Sequence, residues 1–322
     1  MNHIPVLLIT FNRPEHTRQS LESILVQKPE ELYIFQDGPR DGNLNDVQQC
    51  RKVQDIVDKH LDSLNYDIKL HKCYSDINRG CRDAIIYAIS SVFKEHDAVI
   101  VIEDDIITST SFLTYMNNAL NYYKDNKSVH SISGHLPRSI QVHLPADYPY
   151  DVFASPRLFN WGWGTWRDRW ENVDWTMSYF DVLMSQVEMV NAFNRGGDDM
   201  TPMLIDEREG RSSAWDIQFA FDQFKNHKVS IVPMISYTYN IGCDGSGTHC
   251  ASIKETVIEE FVMNTKVNIK WIDILYYDRR IINALHNAFT KKRRPLWQKA
   301  INFISRKLGK KTPFVIKKKV FV

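Results

Sequence analysis

Nothing in this sequence of 322 residues approaches the ~20 consecutive apolar residues that span a bilayer. The apolar run Ile4–Thr10 near the start is far too short for the core of a secretory signal, and the turn-like Asn12-Arg13-Pro14 follows it. Cysteines are few. Cys50, Cys73, Cys81, Cys243 and Cys250 are odd in number, widely spaced and free of any CxxC pair. That excludes a disulfide framework or a zinc ribbon and suits reduced thiols in a cytosol. There is no internal repeat and no low-complexity segment, so solenoids and disordered arrays are excluded as well. Acidic residues vanish from the last 32 positions: Lys291–Val322 carries 12 Lys and Arg and no Asp or Glu. The formal net charge of +1 therefore hides an acidic body, with 28 basic against 39 acidic side chains, and a basic tail. Such asymmetry points to a different partner for each part.

What is present is ordinary globular material, 43% hydrophobic and 25% charged, long enough to bury a full core. Ile4–Phe11 reads as a buried strand, and Pro14 suits the start of a helix to about Val26. Strand-like Leu32–Gln36 ends at Asp37-Gly38-Pro39. Asn45–Leu64 has helical spacing, Tyr66–Cys73 alternates like a strand, Arg82–Phe93 is helical, and Ala98–Ile102 is a continuous β-branched run. This βαβαβαβ order predicts an α/β fold with a doubly wound, mostly parallel sheet. From 136 to 250 the alternation weakens, and six of the eight tryptophans and eight of the 13 glycines fall there. The expected organisation is one domain over 1–290, with a Rossmann-like nucleotide-binding half (1–135), a loop-rich acceptor half (136–250) and a helical closure (251–290), followed by a tail (291–322).

In such sheets ligands sit beyond the carboxyl ends of the strands. Three of those ends carry polar groups: Asn12-Arg13, Asp37-Gly38 and Glu103-Asp104-Asp105. Three consecutive carboxylates at the end of a buried strand repel one another and are costly to hold without a cation. Mg2+ and Mn2+ take oxygen ligands, commonly one or two carboxylates plus substrate phosphates. A solvated acidic turn before a helix capped within Thr108–Ser111 is the plainer reading, but the β-branched strand favours the metal.

Glu103-Asp104-Asp105, with Phe112 and Tyr115 downstream, resembles the DXD-type motif and following helix of GT-A fold glycosyltransferases, in particular the N-acetylglucosaminyltransferase I type and bacterial family 2-like enzymes. Pro5–Asn12, Phe35-Gln36-Asp37-Gly38, Leu158–Trp170 and Ser213-Ala214-Trp215-Asp216 resemble further segments of that family in the same order, so the likeness covers roughly residues 4–250. It implies a GT-A fold and a metal-dependent, inverting transfer from a UDP-sugar. Asp105 would bind Mn2+ or Mg2+ bridging the donor's phosphates, with Asp104 at the ribose or second to the metal, and Glu103 at the donor sugar. Asp37 would pair with the base, although Asp-Gly-Pro is also ordinary turn chemistry.

Asn12 and Arg13 are candidates for nucleotide or phosphate contact, and Arg79 and Arg82 for neutralising phosphate; each is otherwise a plain loop residue or a solvated arginine. Asp216, between Trp215 and Ile217, is the expected general base for the acceptor hydroxyl, desolvation favouring that task. A helix N-terminal aspartate is the compatible alternative. The Gly-rich Asn240–His249 leaves backbone free to approach phosphate, and His249 is a candidate metal ligand or a satisfied loop histidine. Trp161, Trp163 and Trp166 are either a floor for an acceptor sugar or core.

In the tail, Leu296, Trp297, Ala300, Ile301, Ile304 and Leu308 share one helical face amid lysines and arginines. A basic amphipathic helix of this kind suits an anionic membrane surface. No nucleic-acid motif accompanies it, so nucleic acid is not expected as a partner. The expected acceptor is a glycan or lipid-linked sugar, and the expected location the cytoplasm, peripheral at the inner face of the plasma membrane. Two rivals stand: a sugar nucleotidyltransferase, which should carry a Gly-rich basic loop after the first strand, and a non-catalytic glycan- or membrane-binding protein with a GT-A shell.

Overall fold

A computed structural model describes residues 3–242 and 262–290. The predicted basic helix of the tail and His249 lie outside the described residues. The chain opens with β1 (Val6–Thr10), α1 (Pro14–Leu25), β2 (Glu31–Gln36), α2 (Leu44–Asp62), β3 (Lys69–Tyr74), α3 (Gly80–Val92) and β4 (Ala98–Glu103). Strands β3, β2, β1 and β4 lie side by side in that order and run parallel.

β1 and β4 are continuous apolar runs because both faces of a parallel sheet are covered. Val6 and Leu8 of β1 join Leu21 and Ile24 of α1 and Val53 and Val57 of α2 on one face. Leu7 and Ile9 turn to Ala84, Ile85, Ala88 and Ile89 of α3 on the other. The α2 stripe at Val53, Val57 and Leu61 is the i, i+4 spacing of one helical face, and the Asn43 side chain caps that helix at Asp46 N.

After β4 come β5 (Ile106–Thr108), α4 (Phe112–Tyr123), β6 (Val129–Ser133) and the single turn α5 (Arg138–Gln141). Strands β7 (Val152–Ser155) and β8 (Trp163–Trp166) lead into four short helices, α6 (Arg167–Trp170), α7 (Phe180–Met184), α8 (Val187–Phe193) and α9 (Met200–Arg208). Then follow α10 (Trp215–Lys225), β9 (Val229–Pro233), β10 (Thr238–Asn240) and α11 (Arg279–Phe289). Beyond β4 the same sheet continues with β8, β6, β9 and β7 in that order, of which β8, β9 and β7 come from the weakly patterned half. β8 runs antiparallel between β4 and β6, β9 is parallel to β6, and β7 is antiparallel to β9. Six strands point one way and two the other, so the sheet is mostly parallel as predicted. β5 and β10 form a separate antiparallel pair.

Three local expectations need correction. Strand β3 begins at Lys69, and its side chains are half-buried or exposed, since it is the sheet's outer strand. Ser111 occupies the position before α4, but its Oγ donates to Thr265 O rather than capping the helix. Of the helical closure expected over 251–290, the described residues are helical only from Arg279. Residues 262–278 are irregular and dock instead on α4, where Trp271 stacks on Tyr115 and Tyr122 and Tyr123 Oη donates to Ile272 O. Among the described residues no helix is long and apolar enough to cross a membrane.

Candidate functional site

The strand order sets the site. β3, β2, β1 and β4 end at one edge of the sheet, so Asp37, Arg13 and the acidic triad are neighbours there. Glu103 is the last residue of β4, in register with Ile9 of β1. Asp104 and Asp105 make the turn into β5. Asp104 is only 4% exposed. Its carboxylate accepts hydrogen bonds from the Arg13 guanidinium, through Nη2 and, at 3.4 Å, through Nε. The same Nη2 lies 3.1 Å from Asp105 Oδ2.

Electrostatics follow from this crowding. Burial, then the charges of Asp105 and Asp104, push the Glu103 carboxyl up to about 8, while Arg13 pulls the other way. Asp104 is also raised, by burial, with Arg13 opposing. Burial works against the charge on Arg13, but the two aspartates more than offset it and hold the guanidinium firmly protonated.

The Gly-rich segment starts directly over the triad. β10 pairs with β5 so that Asn240 faces Ile106, and Ile241 N donates to Asp105 O at 2.9 Å. Asn240 Oδ1 accepts from Gly242 N at 2.7 Å. A Cβ at Gly242 would lie 2.9 Å from Asp105 Cγ and collide with Oδ2, so only glycine fits.

Asp216 lies within electrostatic reach of the triad. It stands half-buried in the first turn of α10, flanked by Trp215 and Ile217, which anchor the helix in two different apolar clusters. Its charge is felt by Glu103 and by Cys81. Cys81, in the first turn of α3, is exposed by surface area, yet the atoms crowding its thiol, and then the charges of Glu103, Asp216 and Asp105, raise its pKa. Cys81 is therefore a residue of this crevice that the sequence did not mark. Only the Asn78–Arg82 junction after β3 hinted at it. A cavity of about 20 Å3 lies beside Asp216, lined by Arg157, Met200 and Met203 among others. A larger apolar cavity, about 180 Å3, lies between α3 and strands β2 and β3. It contains no carboxylate and none of the residues above, so its size says nothing about the chemistry.

Other candidates are engaged within the fold. Asn12 Nδ2 donates to Asp46 Oδ1 at 2.7 Å, and the buried Asp46 is held down at about 2, first by its bond from Arg40. Asp37 accepts from the backbone N–H of Arg79 and Gly80 and from Asn78 Nδ2, so it closes the N-terminus of α3. Burial raises its pKa, and those N–H groups counter the rise. The Arg79 guanidinium covers the Tyr87 ring at 4.1 Å and donates to Ser75 Oγ. Arg82 Nε donates to Gln218 Oε1 at 2.9 Å, tying α3 to the helix that carries Asp216.

The tryptophans separate. Trp163 and Trp166 are 0% and 4% exposed and belong to the core, the second of their two readings. The pairing of β8 with β4 ends at Trp163 opposite Val101, and the half-buried Trp161 lies before it, across Gly162 with its positive φ. Trp161 lies 4.5 Å from the ring of His135, which is buried and neutral, its pKa pushed down to about 3 by burial. His135 Nε2 has no partner among the described residues.

Among the described residues no three His, Cys, Asp or Glu side chains are placed to hold a metal ion together, so one or two carboxylates would have to serve. The oxygen donors of the triad fit a hard divalent cation that takes its remaining ligands from water and phosphate. Their mutual repulsion, visible in the raised Glu103, is what such a cation relieves.

No curated protein matches the chain in sequence. Among solved structures it resembles a UDP-glucose pyrophosphorylase complexed with UDP-glucose, at 10% identity, TM-score 0.37, covering 71% of this chain and 90% of that one. It also resembles a UTP-bound UGPase from Acinetobacter baumannii, at 10% identity, TM-score 0.37, covering 74% and 88%. Likeness this slight bears on neither activity nor site. The GNT-I family's own pattern, by contrast, matches residues 1–194, which take in α1, the acidic triad and the Trp-rich strand, and the chain belongs to that family of glycosyltransferases.

Proposed function

We propose that the protein is a metal-dependent, inverting glycosyltransferase that moves a sugar from a UDP-sugar to a glycan or lipid-linked acceptor. The observation that carries this reading is the gathering of Glu103, Asp104, Asp105 and Arg13 beyond the carboxyl ends of β4 and β1, the edge at which such sheets bind ligands. Asp105 would hold Mn2+ or Mg2+ with the donor's phosphates, and the cation would neutralise charge on the departing nucleoside diphosphate. Asp104 and Glu103 would orient the ribose and the donor sugar. Arg13 supplies a fixed positive charge beside the phosphates, and Asp37 shapes the base end of the crevice.

Asp216 would take the proton from the acceptor hydroxyl as its oxygen attacks the anomeric carbon. Trp215 and Ile217 keep water from the flanks of Asp216. The half-buried Trp161 would offer its face to a pyranose ring. The acceptor is assigned to a membrane face on the strength of the basic tail, and His249 remains a candidate ligand to the metal.

The test is nucleotide-sugar binding and hydrolysis across a donor panel, with and without Mn2+, on the full chain and on Asp105→Ala. Metal-dependent binding of one UDP-sugar, lost in the variant, supports the reading. Pyrophosphate release from a nucleoside triphosphate would favour a nucleotidyltransferase, and binding of glycan without any donor would favour a non-catalytic role.

A further inference from the structure

We infer that Arg13 is a built-in counter-cation for the acidic triad, one that divalent metal must displace and that a nucleoside diphosphate draws away. The inference rests on the metal–donor reading of this site. A single guanidinium nitrogen reaches both aspartates, donating to Asp104 and lying 3.1 Å from Asp105 Oδ2. The group is well shielded, with side-chain exposures of 19% for Arg13 and 14% for Asp105. Its charge thus sits where the fold needs positive charge when no metal is bound. A free divalent ion approaching Asp105 meets a carboxylate already paired and a fixed cation beside it.

A diphosphate changes the balance, because its oxygens offer a guanidinium the same two-pronged acceptor geometry that the carboxylates do. Arg13 stands at the start of α1, after β1, beside the strand that ends in the triad, so it can exchange partners without leaving the crevice. Once the guanidinium turns to phosphate, Asp105 is released to the metal that the phosphates bring. Metal and nucleotide then bind as a pair, and metal alone binds poorly. The site would stay unloaded in a cell rich in divalent cations but poor in donor.

The experiment is calorimetric titration of Mn2+ alone, UDP alone, and UDP in the presence of Mn2+ into the full chain. Wild type is compared with Arg13→Gln and Arg13→Lys, each checked by thermal melting. Removing one positive charge from beside these partly shielded carboxylates should tighten Mn2+ binding by at least about tenfold in Arg13→Gln. UDP binding should weaken in the same variant. Arg13→Lys, whose ammonium keeps the charge but not the fork, should fall between the two for Mn2+, and it carries the test if the glutamine variant does not fold. Mn2+ affinity that is unchanged or weaker in the folded variant would overturn the inference, and so would absence of Mn2+ binding in every protein. The donor reading fails separately, if wild type binds no UDP under any condition.

Discussion

Gly242 and Asp105 touch so closely that a single methyl group cannot be placed between them. Gly242→Ala should therefore displace the carboxylate rather than the strand pair beneath it, because Ile241 and Asn240 keep their backbone bonds. We expect turnover to fall by about 10^2-fold, the scale of a misplaced catalytic group. The melting temperature should stay within a few degrees of wild type. Equal activity in the alanine variant would show that Asp105 is not placed by this contact.

Asp216→Asn keeps the shape of the side chain and removes its basicity. Loss of a general base typically costs about 10^2–10^4-fold, and the loss should appear in kcat with the donor KM nearly unchanged. Steady-state kinetics with a fixed acceptor separates the two. A rise in donor KM with kcat intact would move Asp216 out of the base role.

Two buried histidines predict an acid weakness. Burial pushes both His130 and His135 down to about 3, below the ordinary value near 6.5, so the native state keeps them neutral. Their contribution to stability is complete above pH ~6.5 and is lost as pH falls toward 3, because the unfolded chain takes up protons first. At pH 5 each should cost about 2 kcal/mol relative to pH 7. Two raised carboxyls act in the opposite sense between pH 7 and 5: Glu103, pushed up to about 8 by burial, and Asp222, 3.8 Å from His130 and raised by burial. The histidine contribution is therefore read as the difference between wild type and His130→Phe in urea denaturation at both pH values, where the variant should lose about 2 kcal/mol less than wild type on going from pH 7 to 5. An equal change in the two proteins would contradict the assignment.

The tryptophans predict opposite phenotypes two positions apart. Trp163→Ala opens the stack of Trp163, Trp215 and Phe219 and should destabilise by about 3–5 kcal/mol. Trp161→Ala should leave the melting temperature near wild type and raise the KM for the acceptor or donor sugar. Thermal melts on both proteins, with kinetics on the second, decide whether the crevice uses that ring.

The parallel half was legible because continuous apolar strands and i, i+4 helices write their burial directly into the sequence, as Val6–Thr10 and Val53, Val57, Leu61 do. The second half was not. β8 is Trp163-Gly164-Thr165-Trp166, a segment whose glycine leaves room for Leu120 and Met116 of α4. Its strand character comes from the neighbours it joins rather than from a period of two. Residues 262–278 show the reverse error, where the spacing of Ile269, Trp271, Ile272 and Leu275 imitates a helix but serves an irregular segment lying along α4. At the site, the triad and Asp216 could be read from residue type and flanking strand or helix. The partners of Arg13, Asn12, Asp37 and Arg82 could not, since each lies on another element.

The place of β8 between β4 and β6 also bears on how the protein is made. β4, whose tip carries the carboxylates, pairs with β1 as soon as it is synthesised, but its other edge stays bare until Trp163–Trp166 has emerged from the ribosome. A nascent chain with an open, β-branched strand edge is prone to pair with its neighbours. The donor half is thus completed by a strand from the later half, and truncation before β8 should yield an aggregating fragment rather than a small nucleotide-binding domain.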